Sequence, residues 1–214
     1  TTGAGGTVGG AIATASPGPG PLPRDFPQVP FDAAAWVSRS YSVQTYSGVG
    51  TGPCTSAKNF LQSVPAGSTK IVVRVTGGCT LEFDNNALVR VYDNLAIVSD
   101  GGVRVAQRTT FRSMVAEAPT LFLIVPYPQA CAGTAGDLSL GNNTEFTGVN
   151  VVAYSPCTVT FANRNVGNGG QIVGGEVDVT NQFSIAYRPI LIPGLEAVVG
   201  HRLDVAFVRE VVGA

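Results

Sequence analysis

The chain has 214 residues, enough to bury one sizeable core, and its 14 acidic and 13 basic residues leave a net charge of -1. That balance offers no bulk attraction to nucleic acid or to an anionic membrane. The longest apolar burst, "LFLIV" at 121–125, falls far short of the roughly 18 residues a membrane span needs.

Residues 1–25 are rich in Gly, Ala, Thr and Pro, and "SPGPGPLPRDFPQVP" places six prolines between Pro17 and Pro30. This composition predicts a semi-extended linker that cannot pack a core. The opening "TTGAGGTVGGAIATA" has neither the basic start nor the apolar core of a secretion signal, so an exported protein would be represented here in a mature or truncated form. Residues 26–69 are predicted to form an N-terminal cap region. It contains a strand around Tyr41–Tyr46 and one short helix in "TSAKNFLQSV", capped by Thr55 or Ser56 and ended by Pro65-Ala66-Gly67. Trp36, the single Trp, reads as a packing plug at the end of the core rather than a ligand platform.

From Lys70 the pattern changes to short bursts rich in β-branched residues: "KIVVRV", "CTLEF", "LVRVY", "LAIVS" and "VRVAQ", then "VNVVAY", "TVTF", "QIV", "VDV" and "FSIAY". Gly, Asn and Asp sit at nearly every break, which fits an all-β chain built as a sandwich or as a parallel β-helix. Short bursts, Asn-Asn and Gly-Gly breaks and the lack of two-residue hairpin signals favour the solenoid, because its corners need residues that tolerate positive φ. The expected fold is a short right-handed parallel β-helix. Its core runs from about Lys70 to Arg188, within a body spanning 70–214.

The C-terminal stretch "YRPILIPGLEAVVGHRLDVAFVREVVGA" is expected to leave the solenoid, because Pro189 and Pro193 remove backbone donors. Beyond Gly194, the alternation of Leu203, Val205 and Phe207 predicts a strand that covers an open edge near Trp36.

The four cysteines, Cys54, Cys79, Cys131 and Cys157, are even in number, and none lies in a C-x-x-C. With His201 as the single His, the usual zinc-ligand spacing is missing. Of the three possible pairings, the sequential one, Cys54 with Cys79 and Cys131 with Cys157, closes the shortest loops. Disulfides imply an oxidising, extracytoplasmic setting.

"LSLGNNTEFTGVNVVAYSPCTVTF" followed by "GNGGQIVGGEVDVTNQFSIAYRPILIPG" resembles the C-terminal β-helical region of pilus-assembly and pilin-like surface proteins, especially actinobacterial ones. The matching segments are Thr147–Pro156, Gly167–Gly175 and Tyr187–Gly194, with weaker likeness in "DFPQVPFDAAAW" and "GGCTLEFDNN". The resemblance implies a non-enzymatic extracellular structural protein at the cell surface, the head of a minor pilin or pilus-associated protein serving assembly or adhesion. It carries over no catalytic residue and no cofactor. The partners it implies are other pilus subunits, further copies of the chain, or cell-surface and host glycans. Family members carry an N-terminal hydrophobic helix. No such helix lies in these residues, so a membrane partner is expected only through one that precedes them.

Two other functions remain open, a secreted β-helix lyase or hydrolase acting on polysaccharides and a self-polymerising solenoid scaffold. The enzyme would need clustered carboxylates. The candidates are Asp84, Asp93 and Asp100, at three successive breaks, and Glu176 with Asp178, two apart on one strand face. Aspartates at breaks more simply bond nearby backbone N–H groups. A Ser/His/Asp triad would have to use His201, which reads as a surface or capping residue. "GTVGGA" and "GNGGQIVGG" lack the strand–turn–helix context of phosphate binding. Asn142-Asn143-Thr144 is a short sequon-like match, and Arg104, Arg108 and Arg112 recur every four residues, solvated if the segment is β.

Overall fold

The computed structural model describes residues 26–163 and 166–194. The linker expected over 1–25, His201 and the covering strand through Phe207 lie outside the described residues.

The cap region opens with α1 (Ala33–Val37), a helix the mixed pattern did not announce; Asp32 caps it by accepting a hydrogen bond from the Ala34 N–H at 2.9 Å. Strand β1 (Ser42–Tyr46) follows. Helix α2 (Gly52–Gln62) starts earlier than expected, with Thr51 rather than Thr55 or Ser56 at its N-cap. Pro53 explains the shift, since a residue without an N–H and with a fixed φ suits the first helical turn. The helix also ends before Pro65.

The body contains β2 (Ile71–Val75), β3 (Leu81–Phe83), β4 (Leu88–Val91), β5 (Leu95–Ser99), β6 (Val103–Val105), β7 (Thr110–Ser113), β8 (Thr120–Ile124), β9 (Leu138–Leu140), β10 (Glu145–Phe161) and β11 (Val166–Val179). Every strand pairing among the described residues is parallel. The chain is all-β in character, a curled and solenoid-like parallel sheet with few helices.

Three faces follow from the registers. The first stacks β1, β2, β5, β8, Asn150–Tyr154 of β10 and the Gly170–Val173 stretch of β11. The second stacks β3, β6, β9, Val159–Phe161 and Val177–Val179. The third stacks β4, β7, Glu145–Thr147 and the start of β11. Strand β10 therefore turns two corners without leaving the ladder, the first at Gly148 with φ 70°. Sequence reading split it at those corners and passed over β7, β8 and β9. It also expected a strand in "FSIAY", where only isolated bridge positions are found, at Ser184 and at Tyr187, the latter paired with Gly170.

Alternation along each strand sends one row of side chains inward. Val73, Leu81, Phe83, Val89, Ile97, Val105, Phe111, Leu123, Leu140, Val159 and Phe161 fill the interior. The first face is buried on both sides, because the segment from Phe26 to Tyr41 and Ile190–Ile192 lie across its outer surface. Trp36, 2% exposed, meets Tyr41 and Phe122 edge-on with centroids 4.9 and 5.3 Å apart. Its role here is packing.

Tyr154 anchors that covering segment: its hydroxyl donates to the Pro27 carbonyl at 2.8 Å and accepts from the buried Val29 N–H at 3.2 Å. Tyr154→Phe keeps the ring but strands the Val29 donor. The expected loss is about 1 to 3 kcal/mol, with faster amide exchange at Val29. Unchanged exchange there would show that water replaces the hydroxyl.

Tyr41 lies under the same cover. Burial pushes its hydroxyl up to about 12, Asp93 adds to the rise, and the Asn94 side chain and Arg39 oppose it. The fold thus favours the neutral phenol. Its contribution is complete below the unfolded tyrosine value of about 10 and is lost as pH rises from there towards about 12. Thermal melts should therefore fall more steeply above about pH 10 for the wild-type chain than for Tyr41→Phe; parallel alkaline limbs would contradict this.

Candidate functional site

The corner between the second and third faces is the most regular feature of the surface. It is built from a repeated nine-residue pattern, "LEFDNNALV" at 81–89, "VRVAQRTTF" at 103–111 and "LSLGNNTEF" at 138–146. Asn86, Arg108 and Asn143 occupy equivalent corner positions, all with left-handed backbone, φ 61°, 58° and 57°. A side-chain ladder runs up the corner. The Asn85 Oδ1 accepts from the Gln107 N–H, and the Asn142 Oδ1 accepts from the Asn163 N–H, both at 3.1 Å. Thr109 and Thr144 are buried and donate to the carbonyls of Ala106 and Gly141. The sequon-like Asn142-Asn143-Thr144 is therefore corner architecture, its Thr hydroxyl committed to the backbone.

Sequence reasoning missed this repeat, although a comparison of the chain with itself reveals it. The copies are unevenly spaced because long connections, Met114–Pro119 and Val125–Asp137, are inserted between coils.

The three aspartates at breaks have separate partners, whereas Glu176 and Asp178 stay two apart on β11. Asp84 pairs with Lys58 at 3.0 Å, Asp100 pairs with Arg74, and the Asp93 Oδ1 accepts from the Asn94 N–H at 2.6 Å. Glu176 and Asp178 are exposed on β11, in register with Thr158 and Thr160. Among the described residues no three acidic, Cys or His groups gather where a metal ion could be held. A cleft of about 370 Å³ opens where α2 meets the start of β3, lined by Thr51, Cys54, Thr55, Lys58, Thr80 and Glu82. Its charges are already matched: Lys58 faces Asp84, and Glu82 lies 3.5 Å from Arg104.

The three evenly spaced arginines also part company. Arg104 lies on the second face beside Glu82, Arg108 stands at the corner, and Arg112 lies on the third face in register with Arg90 of the coil below. Arg90, Arg108 and Arg112 are exposed, and among the described residues none of them takes part in an ion pair.

Both disulfides are formed, Cys54–Cys79 and Cys131–Cys157. The first ties α2 to the turn before β3, and the second ties the 125–137 loop to β10. Two such bonds point to an oxidising setting outside the cytoplasm. Among the described residues no helix is long and apolar enough to cross a membrane.

The segments that carry the pilin likeness fall within β10, within β11 and in the closing stretch that lies over the first face. Comparison of the whole chain with family models, with curated proteins and with solved structures finds no match.

Proposed function

We propose that the chain is a non-enzymatic extracellular structural protein, the rigid head of a minor pilin or pilus-associated surface protein, folded as a right-handed parallel β-helix. Right-handed crossovers between parallel strands are the rule. The observation that carries the functional reading is a disulfide-stapled, solenoid-like parallel sheet in which no three acidic, Cys or His groups gather among the described residues. Such a body supplies stiffness and surface. The proposed partners are other pilus subunits, further copies of the chain and surface glycans. The test is to shear surface filaments from producing cells, cross-link them and map the cross-linked peptides. Cross-links from this chain to filament subunits are expected. Recovery of the protein in the cytosol with four free thiols would overturn the reading.

A second reading, self-association end to end, is favoured by one observation. Val177 and Val179 are 46% and 44% exposed, at positions whose counterparts one coil below, Val159 and Phe161, are buried. The opposite end is closed by α2, which buries Cys54, Ala57 and Leu61 against the core. Among the described residues the Val177 end is covered only in part, by Phe183 and Ile185, and pairing through its exposed valines would give a closed pair rather than a filament. Light scattering at rising concentration should then show dimers that Val177→Lys abolishes; a monomer throughout would dispose of this reading.

A further inference from the structure

The third face carries a charge arrangement that its own fold does not satisfy. Arg90 and Arg112 are register partners on the neighbouring parallel strands β4 and β7, whose backbones run about 4.8 Å apart. Like charges placed directly across strands repel. Every ion pair among the described residues lies elsewhere, at Lys58–Asp84, Arg74–Asp100 and Arg104–Glu82. The acid nearest in the ladder, Glu145, is in register with Thr110 and makes no ion pair with either arginine.

A second, independent observation concerns Arg108, four residues before Arg112. The coils below and above place Asn86 and Asn143 at its corner position, and Asn tolerates the left-handed backbone that all three adopt. An Arg there meets a local requirement less well than its neighbours do, and departures from local rules are expected at functional or strained sites. The face and its corner thus hold three exposed guanidiniums that form no ion pair among the described residues, with Thr110 and Thr147 between and beside them.

We infer that Arg90, Arg108 and Arg112 form a binding surface for an acidic polysaccharide, whose carboxylates or sulfates the guanidiniums engage as two-pronged donors. A hydroxyl-rich chain suits the threonines and the corner asparagines. Single-stranded nucleic acid would instead need stacking platforms. The aromatic closest in sequence, Tyr92, packs against the core, and the exposed large aromatics among the described residues, Tyr127 and Tyr187, lie away from this face. The two disulfides also place the protein away from cytosolic nucleic acid. The surface does not depend on the pilus reading, since it needs only an extracytoplasmic acidic glycan.

The test uses the full chain with immobilised heparin as the sulfated probe and polygalacturonate as the carboxylate probe. Binding to at least one is expected, weakening as salt rises from about 50 to 200 mM. The double variant Arg90→Gln/Arg112→Gln should lose about tenfold or more in affinity with unchanged circular dichroism, and Arg39→Gln, an exposed arginine elsewhere, should bind as wild type. Arg108→Asn should hold or raise thermal stability while weakening binding, a combination that a purely structural arginine would not give. The inference is overturned if neither probe binds at low salt, if Arg39→Gln loses as much as the double variant, or if a single-stranded oligonucleotide displaces heparin as well as free heparin does.

Discussion

Replacing Phe111 by Ala is expected to remove about 3 to 5 kcal/mol of stability, a large share of the roughly 5 to 15 kcal/mol that holds a domain folded. The ring is fully buried on β7, in the middle of a column that runs through successive coils. Phe83 meets it edge-on from the second face at 5.6 Å, and Phe146 stacks on it from the coil above at 5.4 Å. A parallel solenoid has few ways to refill such a hole, because each inward side chain is fixed by backbone ladders above and below. Phe111→Leu keeps most of the volume and should cost roughly 1.5 kcal/mol or less. Urea unfolding of the two variants separates the cases, and equal losses would mean that ring contacts rather than the cavity dominate. Since Phe111 and Phe146 touch, their combined alanine variants should fall short of additivity.

The strand bursts from Lys70 to Gln107 were legible in the sequence because a β-branched run closed by Gly or Asn records two local facts, a pleated and buried strand and a corner with positive φ. Register was not. Arg90 and Arg112 meet only because the coil between them has a particular length, and neither residue reports that length locally. The corner ladder shows the same limit, since Asn85 bonds the backbone of Gln107, a whole coil later. The continuity of β10 was hidden because Gly148 and Pro156, read as breaks, are corners at which pairing shifts and then resumes. The aspartates were easier to judge. Asp93 bonds the next backbone N–H, as residues at breaks commonly do. Asp84 and Asp100 instead found cations brought near by the fold.

Removing both disulfides should unfold most of the chain at ordinary temperature. Cys54–Cys79 spans a separation of 25 residues and Cys131–Cys157 one of 26. In the chain-entropy account each restrains the unfolded state by about 3 to 4 kcal/mol. The two loops do not overlap in sequence, so their contributions should add to about 6 to 8 kcal/mol. The first bond has a further effect, because it ties down α2, and without it Cys54, Ala57 and Leu61 can lift from the end of the core and expose the interior around Leu81 and Phe83. Cys54→Ser/Cys79→Ser should therefore bind a hydrophobic dye at temperatures where Cys131→Ser/Cys157→Ser does not, although the entropic losses are nearly equal. Thermal melts of the two double variants and the quadruple variant, each with dye fluorescence followed in parallel, test both statements. A quadruple variant that melts close to wild type would show that the solenoid core alone carries the fold.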